Sequence, residues 1–114
     1  MERENCWNSY SENELEELEK LNDDYRVFLD KGKTERECVK ETIRQAKEAG
    51  YKDLQNIIKN GKKLKAGDRV YCSYMDKSIV LFNIGKEPIE EGMNILGAHI
   101  DSPRLDIKQN PLYE

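Results

Sequence analysis

Leu15, Leu18, Leu21, Tyr25, Phe28 and Leu29 recur mostly at steps of three and four residues, which places them along one face of an α-helix. Ser11 stands three residues before Glu14. At that spacing a hydroxyl and a reciprocal carboxylate satisfy the free amides at a helix start. The pattern predicts a helix over 12–31, with Gly32 where a left-handed C-terminal cap is wanted. Thr34 and Glu37 repeat the spacing, and Val39, Ile43 and Ala46 form a narrower stripe that runs to Gly50. A second helix is expected over 35–49. Between Tyr51 and Gly67 the apolar residues Leu54, Ile57 and Ile58 lead into KNGKKLKAGD. The glycines there predict a short helical turn and a loop.

From Arg69 onward the pattern changes. Residues 69–75 and 78–84 are rich in Val, Ile, Tyr and Phe and flank Asp76-Lys77, which predicts a two-strand hairpin whose turn lacks the usual glycine. Pro88 breaks the chain before MNILGAHI, residues 93–100, a run apolar on both alternating faces. Such a strand belongs inside a sheet covered on both sides. Two helices leading into a hairpin and a buried strand define an α/β or α+β class. The 114 residues suffice for one small domain or part of one.

Composition sharpens this picture. Apolar residues and charged residues each make up 37% of the chain, so the core is thin for a globular domain. The net charge is −4, and it is unevenly spread: the first 24 residues hold nine acidic and two basic side chains, while the remainder is net positive. An acidic chain is a poor first candidate for a nucleic-acid partner. No charge-free stretch approaches the ~20 residues needed to cross a bilayer, so no membrane association is expected. Met1 to Glu4 lead into no apolar run of the kind a secretory signal needs. Cys6, Cys38 and Cys72 are odd in number and lack a C-x-x-C spacing. A cytoplasmic, reducing location follows as the expectation.

Several features have plain structural readings. Lys59, Lys62, Lys63 and Lys65 could touch phosphates, but without interleaved aromatics a solvated loop is favoured, and Asn56 stands where a phosphate loop requires glycine. Cys72 reads as a small core residue of a strand. Trp7 and Tyr10 fit a staple before the first helix or a docking contact. Ser102 lacks the G-x-S-x-G elbow of a hydrolytic serine.

The chemistry-bearing pair is His99 and Asp101. On an extended chain, residues two apart project to one side with Cα atoms about 6–7 Å apart. Carboxylates commonly orient metal-binding imidazoles, and ligand sites of open α/β sheets lie just past strand ends. On spacing alone the signal is weak, because a lone histidine near a strand end is more often a hydrogen-bonded structural residue than a metal ligand.

The whole segment GAHIDSPRLDIKQNPLYE is more specific. Through Gly97, Ala98, His99, Asp101, Ser102, Pro103 and Leu105, with Lys108 and Pro111 beyond, it resembles the G-A-H-x-D-S-P-x-L motif of the aspartyl aminopeptidase and vacuolar aminopeptidase I family of zinc metallopeptidases. KKLKAGDRVY and LFNIGKEPIEEGMNI are similar to the N-terminal strands of its bacterial branch. The resemblance implies a site of two zinc ions in which His99 ligates one metal and Asp101 orients that histidine. It implies removal of the N-terminal residue from peptide substrates, and assembly into a large homo-oligomer. The family's other ligands and its general-base glutamate lie downstream of the motif, so the resemblance makes this chain the N-terminal portion of such an enzyme, inactive by itself. The alternative is a stand-alone, non-catalytic α+β interaction module derived from that fold.

Overall fold

The computed structural model describes residues 5–100, 107–110 and 112. Its helices begin where side chains can close the free amide ends. At Ser11, in extended backbone, the hydroxyl accepts from the Glu14 amide at 3.4 Å while the Glu14 carboxylate accepts from the Ser11 amide at 2.8 Å. Helix α1 then runs Glu12–Lys31. The Ser11 backbone N–H, and after it the Ser11 hydroxyl, hold the Glu14 carboxyl below its ordinary pKa. Thr34 caps α2, Glu35–Glu48, by accepting from the Glu37 amide at 3.3 Å, while the Glu37 carboxylate accepts from the Lys33 amide at 3.0 Å rather than from that of the cap residue.

The helix ends differ from the expectation at one glycine. Gly32 is not left-handed: its φ of −104° is open to any residue. It is there because the chain folds back tightly, and a Cβ at Gly32 would lie 2.7 Å from Cys38 Sγ. The left-handed caps fall on Gly50 and Gly61 instead, with φ of 86° and 62°. After α2 the amides of Gly50 and Tyr51 return to the carbonyls of Lys47 and Ala46. The amides of Gly61 and Lys62 close helix α3, Leu54–Lys59, on Ile58 and Ile57 in the same double arrangement.

The sheet is small and mixed. Strand β1 is only Lys52–Asp53, lying parallel to β2, Arg69–Tyr74, with Lys52 opposite Val70 and Asp53 opposite Tyr71. β2 pairs antiparallel with β3, Ser78–Asn83, from Arg69 opposite Asn83 to Tyr74 opposite Ser78. The order is β1-β2-β3. The hairpin turn solves its lack of glycine by straining two other residues, Met75 and Asp76, into φ of 53° and 54°, and it closes with the Lys77 amide on the Tyr74 carbonyl at 3.0 Å. Positive φ at both central positions matches the right-handed twist of the strands. Two polar ties fix the sheet to the end of α2: Arg69 donates to the Ala49 carbonyl at 3.2 Å, and the Tyr51 hydroxyl bonds Asn83 Oδ1 at 2.8 Å.

The core sits where α2 meets the hairpin. Val39 and Val70 are 1% exposed, and Cys38, Ala46 and Tyr71 are also buried. Glu41 is buried beside them and is matched on every side. Arg44 donates to its two oxygens at 2.9 and 2.6 Å, Gln45 at 3.2 Å, and Lys31 from the end of α1 at 3.5 Å. The Arg44 hydrogen bonds, against the opposing effect of burial, lower the Glu41 carboxyl to about 2. This ion cluster clasps α1 to α2. Among the described residues no helix is long and apolar enough to cross a membrane. The fold is thus a mixed α/β arrangement of three helices and a three-strand sheet.

The strand expected over 93–100 is not formed. After a short turn at Ile89–Glu91, these residues adopt no regular structure, and Met93, Ile95 and Leu96 are 57%, 79% and 101% exposed. The reason is that a strand consists of hydrogen bonds to its neighbours, and a run built for burial on both faces finds neither cover nor a ladder among the described residues.

Two outcomes follow. Because the folded Glu41 pKa lies below the ordinary carboxylate value, its contribution is complete above pH about 4.5 and is lost as pH falls toward 2. Glu41→Gln should therefore weaken the α1–α2 junction at neutral pH and flatten acid unfolding between pH 4.5 and 2, as read by circular dichroism; an unchanged acid profile contradicts the clasp. Met75→Gly should raise the melting temperature by about 2–4 °C, since glycine relieves a left-handed φ that costs other residues ~1 kcal/mol. A lower melting temperature in Met75→Gly would show that the Met75 side chain matters more than its backbone.

Candidate metal centre

His99 lies one residue from the end of the irregular stretch that follows Gly92, and its side chain is exposed. Asp101, Ser102, Pro103, Arg104, Leu105 and Asp106 lie outside the described residues. The pairing of His99 with Asp101 is therefore a statement of sequence. Among the described residues no three His, Cys, Asp or Glu side chains gather around one point where a metal could sit. An imidazole is a donor that zinc takes readily, but catalytic zinc needs three protein ligands and an open position. The described part of this chain therefore assembles no complete zinc site, and His99 is the imidazole it could contribute to one.

Neither Cys38 nor Cys72 adds to that set. Cys38 is buried in the core with its Sγ 3.6 Å from the Gly32 carbonyl, and Cys72 is half-buried on β2 with Gln55 Nε2 3.8 Å from its sulfur. Trp7 and Tyr10 pack edge-to-face on each other with ring centroids 5.9 Å apart, just ahead of α1. Trp7 stays exposed.

A second feature escaped the sequence reading. The turn after α3 folds the lysine-rich loop back toward α2 and β1, enclosing an open cleft of about 770 Å³. Its lining includes Lys47, Lys52, Lys62, Lys63 and Lys65, with Tyr51, Ile57, Leu64 and Tyr71 as the apolar part. Two aspartates also line it. Both are occupied by backbone amides: Asp53 accepts from Gln55 at 2.8 Å and Asp68 from Lys65 at 2.9 Å. None of the five lysines forms an ion pair among the described residues. The signal in the sequence was divided, since three of the lysines lie in the loop and two lie on the other side of α3.

Comparison with known proteins settles the class. The family model described as aminopeptidase I zinc metalloprotease (M18) matches residues 28–114. A probable M18 family aminopeptidase 1 of Clostridium acetobutylicum is 50% identical over 113 residues, which are 99% of this chain and 24% of that protein. One from Borrelia garinii is 39% identical over all 114 residues, again 24% of its length. The crystal structure of aminopeptidase I from Borrelia burgdorferi superposes with a TM-score of 0.76 at 36% identity, covering 92% of this chain and 25% of that one. The M18 aminopeptidase from Thermotoga maritima gives 0.75 at 38% identity over the whole chain and 24% of its own. The chain belongs to the M18 aminopeptidase I family of zinc metalloproteases. It spans about a quarter of the length of the relatives it matches, and it corresponds to their N-terminal portion.

With no three zinc-ligating side chains gathered among the described residues, the 114-residue chain should retain no stoichiometric zinc through dialysis and should not turn over aminoacyl substrates. Metal analysis and a chromogenic aminopeptidase assay check both. One tightly held zinc per chain would show that other residues of the chain complete a site.

Proposed function

We propose that residues 1–114 form the N-terminal part of a single catalytic domain of a zinc-dependent aminopeptidase, which hydrolyses the N-terminal residue from peptides. The observation that supports it is the family match, which extends through the H-x-D-S-P segment at His99 to Pro103. In this reading His99 ligates one of two zinc ions. A bound zinc supplies Lewis acidity, activating water and polarising the scissile carbonyl. His99 would present a neutral imidazole nitrogen to the metal, and the Asp101 carboxylate would accept a hydrogen bond from the N–H on the other side of the ring. That hydrogen bond selects the tautomer and fixes the ring plane, so Asp101 is a positioning residue. The remaining ligands and the general base come from chain beyond this segment. The composition and the odd number of cysteines without a C-x-x-C spacing support a cytoplasmic enzyme, and the resemblance supports a homo-oligomer.

The test is made in a protein of the relatives' full length that carries this sequence. His99→Ala should remove zinc and activity together. Asp101→Asn should keep the fold and lower zinc affinity or activity by roughly 10–100-fold. Full zinc content and turnover in His99→Ala would reject the assignment, and absence of both zinc and turnover in the unsubstituted protein would favour a non-catalytic module.

A further inference from the structure

The lysine cleft described above has a counterpart of opposite charge elsewhere on the same chain. Between Glu12 and Asp24, seven carboxylates stand against the single cation Lys20. This first half of α1 also carries the leucine stripe, yet α1 has no buried residue: Leu15 is 39% and Leu21 64% exposed. A helix of 20 residues is about 30 Å long, so its acidic half forms a protrusion roughly 15–20 Å long. The cleft offers the converse surface, with five lysines unneutralised by carboxylates and an apolar floor of Ile57, Leu64 and Tyr71.

We propose that this cleft receives the acidic, leucine-bearing first half of α1 from a second copy of the protein. The inference rests on the self-assembly proposed above and goes beyond it by naming both surfaces. Glu16, Glu17 and Glu19 supply charge to Lys62, Lys63 and Lys65, and Leu15 or Leu18 supplies the apolar contact. Complementary charge of this kind fixes partner and register and makes association fall with salt. It also explains why the chain concentrates its acidity in one segment while the remainder is net positive. A nucleic acid would satisfy the lysines but not the apolar floor.

The experiment is sedimentation equilibrium on the protein and two charge-reversal variants, Lys62→Glu with Lys63→Glu, and Glu16→Lys with Glu17→Lys. All four positions are exposed, and circular dichroism checks that the helices persist. Each variant alone should self-associate at least ~10-fold more weakly, and mixing the two should restore most of the lost affinity. Lys62→Gln with Lys63→Gln should weaken it as well, which covers the case where reversal unfolds the loop. Unchanged association in both variants leaves self-assembly standing and overturns these surfaces, whereas a protein monomeric throughout overturns both. A single-stranded oligonucleotide that binds more tightly than a labelled peptide of residues 11–31 also overturns the proposal. The enzymatic reading is tested separately, by zinc content and turnover in a protein of the relatives' full length, so the two readings fail or stand independently.

Discussion

A strand exists only where neighbouring backbone accepts and donates its hydrogen bonds, and that requirement decides what this chain can build around His99. β2 satisfies it twice, with β1 on one edge and β3 on the other. The run at 93–100, apolar on both faces, satisfies it nowhere among the described residues. His99 is carried on that run, so the histidine expected to hold metal sits on the part of the chain with the least support. What is firmly built lies upstream: α2 laid on the hairpin through Val39 and Val70, with α1 clasped to α2 by the Glu41 cluster.

The clasp illustrates how the packed half is specified. A buried carboxylate is costly unless matched, and Glu41 is matched by a bidentate guanidinium, an amide and an ammonium. Arg44 in turn reaches Glu48 one turn further along, so a single arginine organises the exposed edge of α2. With so few buried apolar side chains, polar ties such as Tyr51 to Asn83 and Arg69 to Ala49 carry much of the definition between helix and sheet.

Local chemistry made the helices and the hairpin legible in the sequence. Ser11 with Glu14 and Thr34 with Glu37 mark two helix starts because the groups that close them are three residues apart. Gly32 was misread because tight approach to Cys38 and a left-handed cap both call for glycine, and only the tertiary contact separates them. β1 was invisible, since two residues carry no period and Lys52–Asp53 is a strand only by lying beside Val70 and Tyr71. The run at 93–100 has the pattern of a strand and lacks its partners. At the site, His99 and Asp101 were found through their motif. The lysine cleft was not found, because it is assembled across α3 from both sides.

We propose that residues 93–100 become a strand only when more of the sheet is supplied. Amide hydrogen exchange measures this directly, in the 114-residue chain and in a protein of the relatives' full length carrying it. In the short chain the amides of Met93 to Ile100 should exchange near the unprotected rate while those of Val70 to Cys72 are slowed, and in the long protein both sets should be slowed. Strong protection of 93–100 in the short chain would contradict the account.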